Sequence, residues 1–143
     1  MGILDILRIS ASGLKAQRIR MEVIATNLAN MQTTRTDEGG PYKKKEVVFA
    51  ATDVSEANGF GRVFSEKIEG VKVDEIVESK KRFEKAYDPG HPDADSEGYV
   101  TSPNVNLMEE MADMISATRS YEANINVVNT TKEMFIKTLD IGK

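Results

Sequence analysis

The chain has 143 residues, a formal net charge of −4, 40% hydrophobic residues and no cysteine. That length suits one domain, and the acidic balance argues against a general nucleic-acid surface. The missing cysteines exclude a disulfide framework, a thiolate nucleophile and a Cys-based metal site, and no apolar run reaches the ~20 residues of a membrane span, so membrane insertion is not expected.

Residues 3–31 read as a first long helix. Leu7, Leu14, Met21 and Leu28 recur every seventh residue, and Ile24 and Met31 fill the position three later. This is the pattern of a narrow helix–helix seam. Gly13 is the single interior glycine, expected as a soft point costing about 1 kcal/mol against alanine. Asn27 and Asn30 are poor mid-helix residues, because the amide competes for backbone groups. They read either as an ordinary helix end or as polar groups that fix register across a helix interface. The opening MGILDILRIS lacks the basic region and cleavage site of a secretory signal. Ile6 stands where a myristoylation motif carries Ser or Thr.

The middle is loop-rich. QTTRTDEGGPY (32–42) is a polar loop ending in Gly39-Gly40-Pro41. KKKEVVFA (43–50) opens with three lysines, expected on a solvated edge, and leads into a short strand at Val47–Phe49. A second loop follows, and Gly59-Phe60-Gly61 within it lacks the third glycine of a phosphate-binding turn. Over 62–79, alternation at Val63, Val71, Val73 and Val77 suggests two half-buried antiparallel strands around Gly70.

Residues 80–106 hold three of the four prolines, in a cluster of turn-formers around Asp88-Pro89-Gly90 and His91-Pro92-Asp93. Asp93, Asp95, Glu97 and Gly98 match the first half of a calcium loop. The match breaks at the twelfth position, where Asn104 replaces the bidentate glutamate. A rigid structural turn is the other reading, and His91 reads as part of it. Asn104 or Asn106 then caps a final helix, with Glu109 and Glu110 near its positive dipole end.

That final helix, Leu107–Leu139, organises the chain. One heptad series runs Leu107, Met114, Tyr121, Val128 and Phe135; a second runs Met111, Thr118, Ile125, Lys132 and Leu139. At 1.5 Å per residue it would extend roughly 50 Å. Such a stripe needs a partner along its length, and the N-terminal helix offers one. Residues 1–31 carry four basic and two acidic groups (+2), and residues 105–143 carry four basic and six acidic groups (−2). The complementarity favours pairing, within one chain or between chains, and sets orientation more than affinity. The expected fold is therefore α+β: long N- and C-terminal helices forming a coiled-coil-like bundle, with a small antiparallel β-element between them. The segments are 1–34, 35–104 and 105–143. No nucleophile–base pair or phosphate loop stands out, so no enzyme, cofactor or metal is expected.

SGLKAQRIRMEVIATNLANMQTT (12–34) resembles the N-terminal segment of the bacterial flagellar axial proteins, with Ala25-Thr26-Asn27-Leu28-Ala29-Asn30 and Thr33-Thr34 as its core. YDPGHPDADSEGYVTSPNVN and the helix after it (87–135) resemble the proximal-rod members of that family, and Thr118–Asn124 matches the family's C-terminal helix. The resemblance covers well over half the chain and is weakest across 35–80. It implies a structural subunit that assembles through its terminal helices into the drive shaft transmitting motor torque to the distal rod and hook. The implied place is the periplasmic rod of the basal body, reached through the flagellar type III export apparatus with no cleaved signal. The implied partners are further copies of the chain, proximal and distal rod subunits, the rod-base adaptor and the membrane-ring protein. Candidate assembly residues are Leu7, Leu14, Met21, Ile24, Asn27, Leu28 and Asn30 on the first helix. On the last they are Leu107, Met111, Met114, Tyr121, Asn124, Ile125, Val128, Phe135 and Leu139. A calcium- or ligand-binding module using 88–104 is the alternative.

Overall fold

The computed structural model describes residues 2–53 and 69–141. Its elements are α1 (Ile3–Ala29), β1 (Lys45–Asp53), β2 (Glu69–Glu78), β3 (Glu84–Tyr87), β4 (Tyr99–Ser102) and α2 (Leu107–Ile141). The expected α+β class holds: two long helices with small antiparallel sheets between them.

The helices start where side chains answer the free backbone N–H groups. The Asp5 carboxylate accepts the Gly2 N–H at 2.7 Å, close to the positive end of α1. At α2, Asn106 Oδ1 accepts the N–H groups of Met108 and Glu109 at 2.9 and 3.2 Å, so Asn106 is the cap. Asn104 does other work: its Oδ1 accepts Lys44 N–H at 2.8 Å and its Nδ2 donates to Lys81 O at 2.9 Å.

The two helices pack antiparallel within the chain. Asn27 meets Glu110, Arg20 meets Asp113, Met21 meets Thr118, and Ile3, Leu4 and Leu7 border a cavity with Thr131 and Phe135. Midway, a Cβ on Gly13 would stand 3.0 Å from Asn124 Oδ1. Gly13 is thus a point of close helix approach rather than a soft point, and the missing side chain is what lets Asn124 fit.

β1 and β2 form an antiparallel pair running from Lys45↔Glu78 to Asp53↔Glu69, with a bulge at Val48/Phe49. The register skips Asp74 as an extra residue. Val71, Val73 and Val77 are half-buried, as the alternation implies, while Ile76, paired with Val47, is 49% exposed. Gly70 is no turn: it lies inside β2 and pairs with Thr52. The partner of residues 71–78 is β1, so the expectation of two strands meeting at Gly70 fails; Val63 and the Gly59–Gly61 turn lie outside the described residues. β2 docks on α1, where Val71 N–H donates to Ser12 Oγ at 3.1 Å.

β3 and β4 make a second antiparallel pair ending at Tyr87↔Tyr99, whose rings meet edge to face at 5.3 Å. This hairpin was not expected; its strands are four residues each and its turn chemistry hides them. The core is thin. Its buried apolar residues among those described are Ala16, Val23, Ile24, Tyr42, Val100 and Ala117, while Ser10, Asn27, Lys44, Glu110 and Thr131 are buried polar groups.

Candidate functional site

The end of α1, the start of β1 and the first turn of α2 meet around Asn27. Its side chain is 1% exposed. Asn27 Nδ2 donates to Lys45 O at 2.8 Å and to Glu110 Oε2 at 3.0 Å. Its Oδ1 accepts the Tyr42 hydroxyl at 3.0 Å and the Lys45 N–H at 2.9 Å. All four bonding positions of the amide are filled, as a buried amide requires. One asparagine thereby joins the end of α1, the start of β1 and the first turn of α2.

Glu110, also 1% exposed, is the second member. The Lys44 ammonium stands 2.7 Å from its Oε1 and 3.7 Å from Glu109 Oε1. No donor is aligned on Glu110 Oε1 for a hydrogen bond, so the lysine charge answers it as an ion pair. Burial alone would lower the Lys44 pKa. Contact with Glu110 and the charges of Glu110, Glu109 and Glu46 outweigh it, and the ammonium is held above the ordinary lysine value. Burial first, then the charges of Glu110 and Glu78, push the Tyr42 phenol up. Lys81 bonds Glu109 at 2.8 and 3.0 Å on the exposed side, and Lys81 together with Lys44 holds the Glu109 carboxyl below its ordinary value.

The lysine run 43–45 is therefore not a uniform solvated edge. Lys43 is exposed and bonds Glu78 at 2.9 Å, while Lys44 turns inward. The sequence reading missed Lys44, Tyr42 and Glu110 because charged residues are rarely buried unless paired, and the pair is far apart in the chain. A carboxylate on the heptad face of α2 was the one available signal.

The heptad face of α2 also needs a change of phase. The residues turned toward α1 are Glu110, Met114, Ala117, Tyr121, Asn124, Val128 and Thr131, with Glu110, Ala117 and Thr131 fully buried. The expected series through Met114, Tyr121 and Val128 lies here, and its ends, Leu107 and Phe135, are exposed. Of the expected series Met111, Thr118, Ile125, Lys132 and Leu139, Thr118 is turned toward α1, where it meets Met21, and the other four are exposed. Asn124 was among the expected positions, but an apolar-seeking reading chose Met111 and Ile125 over Glu110, Ala117 and Thr131. Small and polar side chains allow the close helix approach seen at Gly13. On α1, Ile24 and Asn27 are buried, and Leu7, Leu14, Met21 and Leu28 are half-buried. Asn30 does not bridge the helices. Its Nδ2 donates back to Thr26 O at 2.9 Å and its Oδ1 accepts from Thr33 Oγ1 at 3.2 Å, so it serves the end of its own helix.

The apolar residues left out of the seam form a second stripe. Met108, Met111, Ile115, Ile125, Ile136 and Leu139 follow heptad spacing along the outer flank of α2 and are 36–73% exposed. α2 also continues through residues 136–141 beyond its contacts with the first turn of α1, carrying Ile136, Leu139 and Ile141 in the open. An unpartnered stripe of this kind marks an interaction surface.

The 88–104 loop is built from its own backbone. Asp95 Oδ1 accepts the N–H groups of Glu97 and Tyr99 at 3.0 and 2.9 Å. Chiefly through the bond from Tyr99, its carboxyl is lowered from the ordinary aspartate value. Asp93 Oδ2 accepts Thr34 Oγ1 at 2.8 Å, and His91 Nδ1 accepts Asp93 N–H at 3.1 Å. Gly98 has φ +83°, with the Tyr87 ring 3.0 Å from where a Cβ would stand. Among the described residues no group of three or more metal-ligating side chains converges, and none of their helices is long and apolar enough to cross a membrane. Nothing supports the calcium-binding alternative.

Residues 7–35 match the family model described as flagella basal body rod protein, and residues 96–141 match the flagellar basal body rod FlgEFG protein C-terminal model. The chain is 46% identical to the flagellar basal-body rod protein FlgC of Bacillus subtilis, with 96% of each chain covered. It is 43% identical to FlgC of Borreliella burgdorferi, over 99% of this chain and 98% of the relative. It is also 43% identical to FlgC of Salmonella typhimurium, with 100% of each covered.

Proposed function

Since the chain belongs to the FlgC family of flagellar basal-body rod proteins and is a structural subunit of the rod, we propose that its outer α2 stripe is the face through which it joins its neighbours. The subunit assembles with other rod components. The observation that carries the reading is the exposure of Met111, Ile115 and Ile125 at heptad spacing on a helix whose seam with α1 is already closed. Burying such a stripe against another helix supplies the non-directional drive for association, and interlocking over several turns resists shear. The assembly residues then divide into two sets. Leu7, Leu14, Met21, Ile24, Leu28, Met114, Tyr121 and Val128 hold the helix pair together. Leu107, Met111, Ile125, Phe135 and Leu139 face other subunits.

In the same reading the rod passes motor torque to the distal rod and hook, stands in the periplasm and is reached through the type III export apparatus. Its contacts are further copies of the chain, proximal and distal rod subunits, the rod-base adaptor and the membrane-ring protein. It has no catalytic role. The terminal segments 1–34 and 105–143 act as the axial unit, and 35–104 as an outer attachment.

The test is Met111→Glu with Ile125→Glu, expressed in a bacterium lacking its own copy. Both positions are exposed, so the purified variant is expected to keep its helical circular dichroism and melting temperature while swimming and rod formation are lost. Motile cells carrying the double variant would overturn the placement of the face, though not the family membership.

A further inference from the structure

We infer that the buried node of Lys44, Glu110 and Asn27 selects the register of the α1–α2 pair. The inference concerns the folded chain itself and stands independently of which face meets neighbouring subunits.

A seam that repeats every seven residues maps onto itself when one helix slides by seven. Leu7, Leu14, Met21 and Leu28 on α1 are near-equivalents, as are Met114, Tyr121 and Val128 on α2. Apolar packing alone therefore discriminates weakly between alignments one heptad apart. The node is not repeated. Slid by one heptad, Ala117 would replace Glu110 opposite Asn27, and Lys44 would be left without its carboxylate.

The third segment makes the node effective. Lys44 is neither on α1 nor on α2. It enters from the segment before β1, which Asn104 and Ser79 hold from both sides: Lys44 N–H donates to Asn104 Oδ1 at 2.8 Å, and Lys44 O accepts Ser79 N–H at 2.7 Å. The ammonium is thus fixed relative to Asn27, whose amide bonds both backbone groups of Lys45. In the observed alignment Glu110, with Glu109 beside it, brings a carboxylate there; one heptad along, Ser116 and Ala117 would stand in their places. A buried ion pair is a poor source of net stability, since desolvation offsets its attraction, but an unpaired buried charge is costly. Such a group adds little to the correct alignment and strongly penalises the others.

The chain has no cysteine, so spin labels at Lys15→Cys and Lys137→Cys, both exposed, report one distance along the pair. In the full chain we expect a single narrow distribution by pulsed electron spin resonance. Lys44→Met with Glu110→Met should retain a cooperative melt yet add a population displaced by about 10 Å, the rise of one heptad. A single narrow distance in that folded variant overturns the proposal, as does a broad one in the unchanged protein. Should the apolar variant lose its fold, Lys44→Gln with Glu110→Gln is measured the same way, and a single distance there also overturns it. Loss of fold in both would show that the node holds the chain together rather than choosing its alignment, and overturns it equally.

Discussion

The two ends of the helix pair follow opposite rules. Where α1 ends and α2 begins, the contacts are buried and polar: Asn27, Tyr42, Lys44 and Glu110, with every bonding position of the asparagine filled. Where α1 begins and α2 runs on, the surface is apolar and open, with Leu4 68% and Ile141 86% exposed. A thin core explains the first end. With few large apolar groups available, directional bonds define a unique geometry there. At the second end the described residues leave apolar surface exposed, as suits a subunit that assembles with other rod components.

Removing one partner at the polar end should have the largest effect. Glu110→Leu leaves the Lys44 ammonium buried without its counter-charge, and the expected loss is about 3–5 kcal/mol in urea unfolding. A loss below about 1 kcal/mol would mean that water or Glu109 reaches Lys44, and the contrast between the ends would weaken. Next comes Gly13→Val, midway along the pair. A Cβ there meets the Asn124 amide 3.0 Å away, and the branched side chain forces the helices apart, for about 1–3 kcal/mol. Tyr42→Phe removes a single hydrogen bond to Asn27 Oδ1, which keeps its second donor from Lys45, and about 1 kcal/mol is expected.

The polar end should also titrate. Lys44 is held above its ordinary value of 10.5, so the folded state binds that proton more tightly than the unfolded chain. Its contribution is complete below the ordinary lysine value and is lost as pH rises through the folded one. Tyr42 is raised above 10.0, so the unfolded chain ionises first and adds to the same alkaline loss. Melting temperatures measured from pH 8 to pH 11 should fall at the upper end. The fall should be shallower in Lys44→Met with Glu110→Met, which removes the lysine titration; an unchanged slope would take the lysine out of the account.

How legible each end was in the sequence follows from the same contrast. Both long helices were visible in their seven-residue spacing, and the antiparallel β-element in its valines. The seam on α2 was only half visible. Met114, Tyr121 and Val128 fall half-buried on one line with the spacing expected, and Asn124 was named with them, but Glu110, Ala117 and Thr131 are polar or small and carry no apolar signal. Lys44 was hidden because its partner lies 66 positions further along the chain, 110 − 44, and a lysine run carries no local sign of which member turns inward. The bulge that makes Asp74 an extra residue is likewise encoded in no alternation pattern.

The smallest expected effect is the one that separates the two ends most cleanly. Leu139→Ser, in the part of α2 beyond the first turn of α1, deletes an apolar side chain that is 57% exposed. Among the described residues nothing is packed over it tightly enough to leave a cavity, so stability should change by no more than about 0.5 kcal/mol. If the open end exists to be covered by other subunits, the same substitution should nonetheless weaken rod assembly. Comparison with Glu110→Leu then distinguishes the two roles. One substitution lowers the melting temperature of the isolated chain, and the other leaves it unchanged while reducing the yield of rods from cells. A Leu139→Ser chain that melts several degrees lower would show that this end is already packed in the free subunit, and that the two ends differ less than their exposure indicates.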